Sequence, residues 1–109
     1  MGIDAHPTAD GALRLVIDED LSIYHAAEIK DRLIKELQTN PILELDLSHV
    51  GEVDTAGFQL LVLAKMESQR HGGALRLVAH SDSIREVIEF FNMAAFFGDP
   101  LVIPAANPA

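Results

Sequence analysis

The chain has 109 residues, 49% of them apolar and 23% charged, the make-up of one soluble globular domain and not of a disordered polymer, which buries too little apolar surface to offset its ordering entropy. Eight Lys and Arg against 17 Asp and Glu give a formal charge of −9 with His neutral, a poor match for nucleic acid or anionic lipid that would suit a basic protein partner or simply keep the chain soluble. Cysteine is absent, which excludes disulfides, thiolate nucleophiles and Cys-ligated zinc.

Residues 1–10 show no periodicity and read as a loose end. Met1 to His6 has neither a basic start nor an apolar stretch, so no signal peptide is readable, and His6 stands where a myristoylation pattern needs Ser or Thr. A domain core is expected over about 11–103, with 104–109 as a second loose end. Ala12 to Ile17 alternates, placing Leu13, Leu15 and Ile17 on one face of a strand. The acidic Asp18-Glu19-Asp20 follows. Ser22 is then positioned to cap a helix whose Ala26, Ile29, Leu33 and Leu37 recur at helical spacing, and Asn40-Pro41 stops it.

Ile42 to Leu47 predicts a second strand, with Leu43, Leu45 and Leu47 opposite Glu44 and Asp46. A second helix is expected from about Gly57 to Arg70. It ends at His71-Gly72-Gly73, where a glycine can take the left-handed cap. Ala74 to Val78 is a third strand. A third helix starts at Ser81 or Ser83, where Ser83 with Glu86 would make a capping box, and Ile84, Val87, Ile88 and Phe91 form its apolar stripe. Leu101-Val102-Ile103 is a candidate final strand, and the longest apolar run, Leu60 to Ala64, is far short of the about 18 residues of a membrane span. With no cysteine and no span, a cytoplasmic protein without membrane insertion is expected.

Strands alternating with helices predict an α/β fold with parallel neighbours. Strands covered on both faces are apolar throughout, whereas each of these carries charge at alternate positions. Arg14, Glu44, Asp46 and Arg76 are therefore expected on one open face, paired across strands, with the helices mainly on the other.

The chemistry concentrates between Leu45 and Phe58, where a strand meets a helix. Asp54 stands at the N-cap position, its carboxylate able to accept the amides of Ala56 and Gly57. Thr55 then opens the helix and carries its hydroxyl beside the positive end of the dipole. Enzymatic readings are weaker. An aspartic-protease Asp-Thr-Gly needs paired carboxylates and a glycine directly after Thr, but Ala56 intervenes. A phospho-aspartate receiver could use Asp18 to Asp20 but needs a late lysine, and none follows Lys65. His25 and Glu28 share a helix face without a third ligand, and His6, His49, His71 and His80 form no ligand pattern. No metal and no cofactor are expected. Gly72-Gly73 precedes a strand and is a helix stop, not a phosphate cradle. Phe90, Phe91, Phe96 and Phe97 read as core.

The run Asp46-Leu47-Ser48-x-Val50-x-x-Val53-Asp54-Thr55-Ala56-Gly57 resembles the signature of STAS domains, the fold of bacterial anti-sigma-factor antagonists. Asp20 to Glu28 resembles that family's entry to its first helix, His71 to Val78 its glycine turn and next strand, and Phe90 to Phe97 the end of its third helix. The resemblance covers about residues 11–99. It implies a single STAS domain over 1–109, with a mixed four- to five-stranded sheet and helices mainly on one face. It also implies a non-enzymatic switch. Thr55 would be the phosphoacceptor of a serine/threonine kinase-like anti-sigma partner that binds the unmodified form, and Asp54, Ala56, Gly57 and Phe58 would form the partner-binding helix start. Ala56 replaces a second hydroxyl common in relatives, Ala95 replaces a common glycine, and no room is left for the family's C-terminal helix. The alternative implied is a constitutive STAS subunit of a chemotaxis-linked or lipid-transport ABC assembly, docked on an ATPase without phosphorylation. Oligomeric state is not written in these motifs.

Overall fold

The computed structural model describes residues 2–91. Its elements are β1 (Ile3–Pro7), β2 (Leu13–Ile17), α1 (Ala26–Thr39), β3 (Ile42–Leu47), α2 (Thr55–Arg70), β4 (Ala74–His80) and α3 (Asp82–Phe90). The strands form one sheet in the order β1-β2-β3-β4. β1 runs antiparallel to β2, while β2–β3 and β3–β4 are parallel. Crossovers of the usual right hand that step twice in one direction leave their helices on the same face, and α1 and α2 do pack together over the sheet. The fold is therefore α/β with helices on one face, as the alternation of elements and of charge predicted, and the antiparallel β1 makes the sheet mixed, as the STAS resemblance implied.

That face holds the core. Leu15, Ile17, Leu43, Leu45, Leu47, Leu75 and Leu77 from the strands meet Ile29, Leu33, Leu61, Ile84 and Ile88 from the helices, each burial worth about 1.5–3 kcal/mol. The other face carries a ladder. Glu44, only 7% exposed, accepts from Arg14 on β2 (Nε 3.2 Å, Nη2 3.1 Å) and from Arg76 on β4 (Nη2 2.8 Å). Asp46 leaves this ladder. The register shifts between Leu45 and Asp46, and the Asp46 carboxylate turns to the amide and hydroxyl of Ser48 (3.0 and 2.6 Å).

Further expectations are corrected. Residues 1–10 are not a loose end, because Ile3–Pro7 pairs with Leu13–Ile17 in a hairpin. Ile3 alone of that strand is buried, so an edge strand facing solvent leaves almost no apolar alternation to detect. Ser22 does not cap α1. Its carbonyl accepts the amides of His25 and Ala26 and its hydroxyl that of Tyr24, forming a separate turn, and the N-cap is His25 without a side-chain bond. The Ser83–Glu86 box is displaced because Ser81 caps α3, its hydroxyl accepting from Ile84 at 3.3 Å. Finally, Phe90 (81% exposed) and Phe91 are not core. α2 begins at Thr55, two residues before Gly57. Gly72 takes the left-handed conformation that ends this helix (φ +73°). Leu101 to Ile103, Ala95, Phe96 and Phe97 lie outside the described residues.

Candidate functional site

Two loops, 18–25 and 48–54, are stitched together at the start of α2. Leu21 and Val53 form an isolated parallel bridge. The Leu21 amide donates to the Glu52 carbonyl (2.9 Å), the Asp54 amide to the Leu21 carbonyl (3.1 Å), and the Glu52 amide to Asp20 Oδ1 (2.9 Å). Leu21 and Val50 are buried beneath this seam, so apolar burial holds both loops down.

Asp54 caps α2, but with partners other than the expected Ala56–Gly57 pair alone. Its Oδ1 accepts the Gly57 amide and its Oδ2 the Ile23 amide, both at 2.9 Å. The amides of Gly57 and Ile23, with a smaller share from Ala56, hold the Asp54 carboxyl below its ordinary value. Asp54 is thus an anion engaged with backbone donors on two elements, a structural brace more than a free base.

Of the predicted residues, Thr55 is exposed and Ala56 half-buried, while Gly57 and Phe58 are buried. The Thr55 hydroxyl therefore stands at the helix entrance open to another molecule. Phe58 turns inward and stacks on Phe91, with ring centres 4.9 Å apart and planes at 15°; Phe91 meets Phe90 edge-on at 5.0 Å. A hollow of about 390 Å³ opens beside Thr55, Phe58, Val62 and Phe91. A second, of about 230 Å³, opens toward Ala27, Lys30 and Ala56. Gln59 and Leu63 line both, forming a ridge between them.

Sequence reasoning missed several neighbours of this entrance. Ile23 and Tyr24 project from the first loop, 67% and 86% exposed, and Leu63 and Met66 are exposed along α2. The available signal was the lack of any charged residue from Thr55 to Ala64, since the solvent face of a helix is ordinarily polar or charged. Elsewhere, His25 Nδ1 faces Glu19 Oε1 at 3.6 Å, and among the described residues no three metal-ligating side chains converge. Among those residues no helix is long and apolar enough to cross a membrane.

A family profile described as Mlab, STAS domain, matches residues 5–103. No curated protein sequence matches the chain. Solved structures share its fold at low identity. A candidate anti-sigma factor antagonist from Thermotoga maritima superimposes with a TM-score of 0.80 at 20% identity, covering 95% of this chain and 90% of that one. An anti-sigma factor antagonist from Mycobacterium paratuberculosis gives 0.76 at 18%, over 92% and 86%. The Bacillus cell fate determinant SpoIIAA in its phosphorylated form gives 0.67 at 14%, over 92% of each chain.

Proposed function

The chain belongs to the STAS-domain family, and from that premise we propose that it is a bacterial regulatory switch of the anti-sigma-factor-antagonist type. It binds a serine/threonine kinase-like anti-sigma partner through the start of α2, and phosphorylation of Thr55 controls that binding. In this reading residues 1–109 act as one STAS unit, without catalysis or cofactor, in the cytoplasm.

The observation that carries the reading is the exposed Thr55 hydroxyl directly after Asp54, whose carboxylate is already held by the Gly57 and Ile23 amides. A phosphate there adds about −1.5 to −2 charges. It would gain from the dipole of α2, but its nearest neighbour in sequence is a carboxylate and one first-turn amide is taken. A surface fitted to the neutral hydroxyl therefore changes sharply on modification and reverts on removal. That SpoIIAA has been captured in a phosphorylated form supports carrying such chemistry to Thr55.

A second reading, constitutive docking on an ATPase or chemotaxis component, is favoured by one observation: exposed Leu63 and Met66 continue an uncharged surface along α2 away from Thr55, a surface that could bind without any modification. The two readings separate in one experiment. The tagged chain is recovered from its host, its phosphosites are mapped by mass spectrometry, and co-purifying proteins are compared for wild type and Thr55→Glu. Phosphate on Thr55, with a kinase-like partner retained by wild type and lost by Thr55→Glu, supports the switch. An unphosphorylated Thr55 and an ATPase subunit held equally by both forms overturn it in favour of the constitutive subunit.

A further inference from the structure

The charges of this molecule are unevenly satisfied. Every arginine faces a carboxylate away from the α2 entrance: Arg14 and Arg76 on Glu44, Arg32 on Glu36, Arg70 on Glu67, and Arg85 on Asp82. Lys65 donates to the Leu75 carbonyl (2.8 Å). The loop seam, by contrast, gathers Glu19, Asp20, Glu52 and Asp54, none of which has a Lys or Arg partner among the described residues. Residues 92–109 hold no Lys or Arg, and the lysine nearest this surface, Lys30, lines the second hollow beside Asp31 without an ion pair to any of the four seam carboxylates. Carboxylates without a Lys or Arg partner occur elsewhere on the chain too, but these four flank an apolar surface, with exposed Ile23 and Tyr24 on one side and the Gln59–Leu63 ridge and its two hollows on the other, the second hollow bordered by Lys30 and Asp31.

We infer that the partner presents a basic amphipathic helix to this surface, its apolar side chains entering the two hollows across the Gln59–Leu63 ridge and its Lys or Arg residues meeting the carboxylates of Asp20, Glu52 and Asp54. The inference rests on the reading that the start of α2 binds a protein, and names the chemistry of that protein's contact. A ridge with a hollow on each side is the relief into which helical side-chain rows pack. The electrostatics exclude the two nearest competitors. A second copy related by a two-fold axis would set one acidic collar against another, and the chain's own tail has no cation to offer. Surface carboxylates without a Lys or Arg partner, even when backbone amides hold them in place, steer an oppositely charged partner to the apolar centre they surround and reject a like-charged one.

The test uses the full-length chain, labelled for NMR, and two synthetic amphipathic helical peptides with the same leucine pattern. One carries Lys and Arg on its polar face and the other Glu. The basic peptide is expected to shift the amides of Ile23, Tyr24, Gln59 and Leu63, and to bind at least about tenfold more tightly than the acidic one. Its affinity should weaken several-fold as salt rises. Glu52→Lys, a charge reversal at a side chain that holds neither loop, should narrow the difference between the peptides, and Leu63→Glu should remove binding without altering the remaining spectrum. Equal binding of both peptides at the same amides would overturn the basic chemistry while leaving the α2 entrance as a protein site. No binding of either peptide, or shifts confined to other elements, would overturn the basic-helix inference, while the α2 entrance as a protein site would still be decided by the phosphosite and co-purification experiment. Dimerisation abolished by Leu63→Glu, or contacts between residues 92–109 and Leu63 in the free chain, would assign the ridge to another occupant and overturn the inference.

Discussion

A methyl group placed on Gly57 would lie 1.9 Å from the carbonyl oxygen of Leu21. The first turn of α2 is pressed directly on the backbone of the β2–α1 loop, and no side chain fits between them. Helix propensity alone would favour alanine at this position by about 1 kcal/mol. The contact overrides that preference, because the carbonyl is backbone and is fixed by its bond from the Asp54 amide. Gly57→Ala is expected to destabilise the chain by about 3 kcal/mol or more in urea unfolding. An unchanged or raised midpoint would mean the helix can lift off Leu21 freely.

The brace between Asp54 and the two amides gives a pH signature. Its carboxyl is held below the ordinary value chiefly by the Gly57 and Ile23 amides, so the folded state binds its proton more weakly than the unfolded chain. That contribution is present in full above the unfolded pKa and is lost as pH falls from there through the lowered folded pKa. Asp54→Asn should therefore unfold at a lower temperature than wild type near neutral pH, with the gap closing in acid. The amide of Ile23 should also exchange faster in the variant. A gap independent of pH would assign the loss to shape and not to charge.

Much of this is legible in the amino-acid sequence. Leu43, Leu45 and Leu47 on one face and Glu44 on the other announced a sheet with one covered side, and Glu44 does join Arg14 to Arg76 there. Asp54 as a cap and Gly72 as a stop followed from local backbone chemistry, where the partners are a few residues away. What escaped was non-local or one-sided. Ile23 as a second partner of Asp54 lies 31 residues distant and depends on the Leu21–Val53 bridge. Ile3–Pro7 presents one inward side chain, too few for a period. Phe90 and Phe91 look like core by residue type, yet they sit where α3 ends at the surface. The ridge of Leu63 and Met66 reads as ordinary helix interior until burial shows which face they occupy.

The ladder on the open face predicts a graded series. Glu44 is nearly buried and serves two guanidinium groups, whereas those groups are each close to half exposed (44% and 42%). Removing one arginine leaves the other pair, with solvent screening the rest. Removing the glutamate leaves two like charges facing each other across the sheet. Glu44→Gln is expected to cost about 1–2 kcal/mol, and Arg14→Ala less than about 1 kcal/mol. Urea titrations of both variants check the order, and added salt should shrink the Glu44→Gln loss by screening the arginine repulsion. The reverse ranking would mean that the arginine stems, not the charges, provide the stabilisation.

Thr55 provides the cleanest separation of fold from function. Its hydroxyl is exposed and has no hydrogen-bond partner among the described residues, the cap being supplied by Asp54. Thr55→Val keeps the branched side chain and should leave stability within about 0.5 kcal/mol of wild type, while removing the only hydroxyl a kinase could use at that position. Thr55→Glu sets a carboxylate at the favourable end of the helix dipole but next to Asp54, two opposed effects of similar size, so its stability should also change little. Partner binding should not follow stability. If the switch operates, valine binds as wild type does and resists phosphorylation, whereas glutamate binds weakly although equally well folded. Calorimetric unfolding measured beside partner affinity for the three proteins decides the matter. A loss of affinity that tracks a loss of stability would make Thr55 a folding residue, and parallel affinities for valine and glutamate would leave α2 as a permanent docking helix.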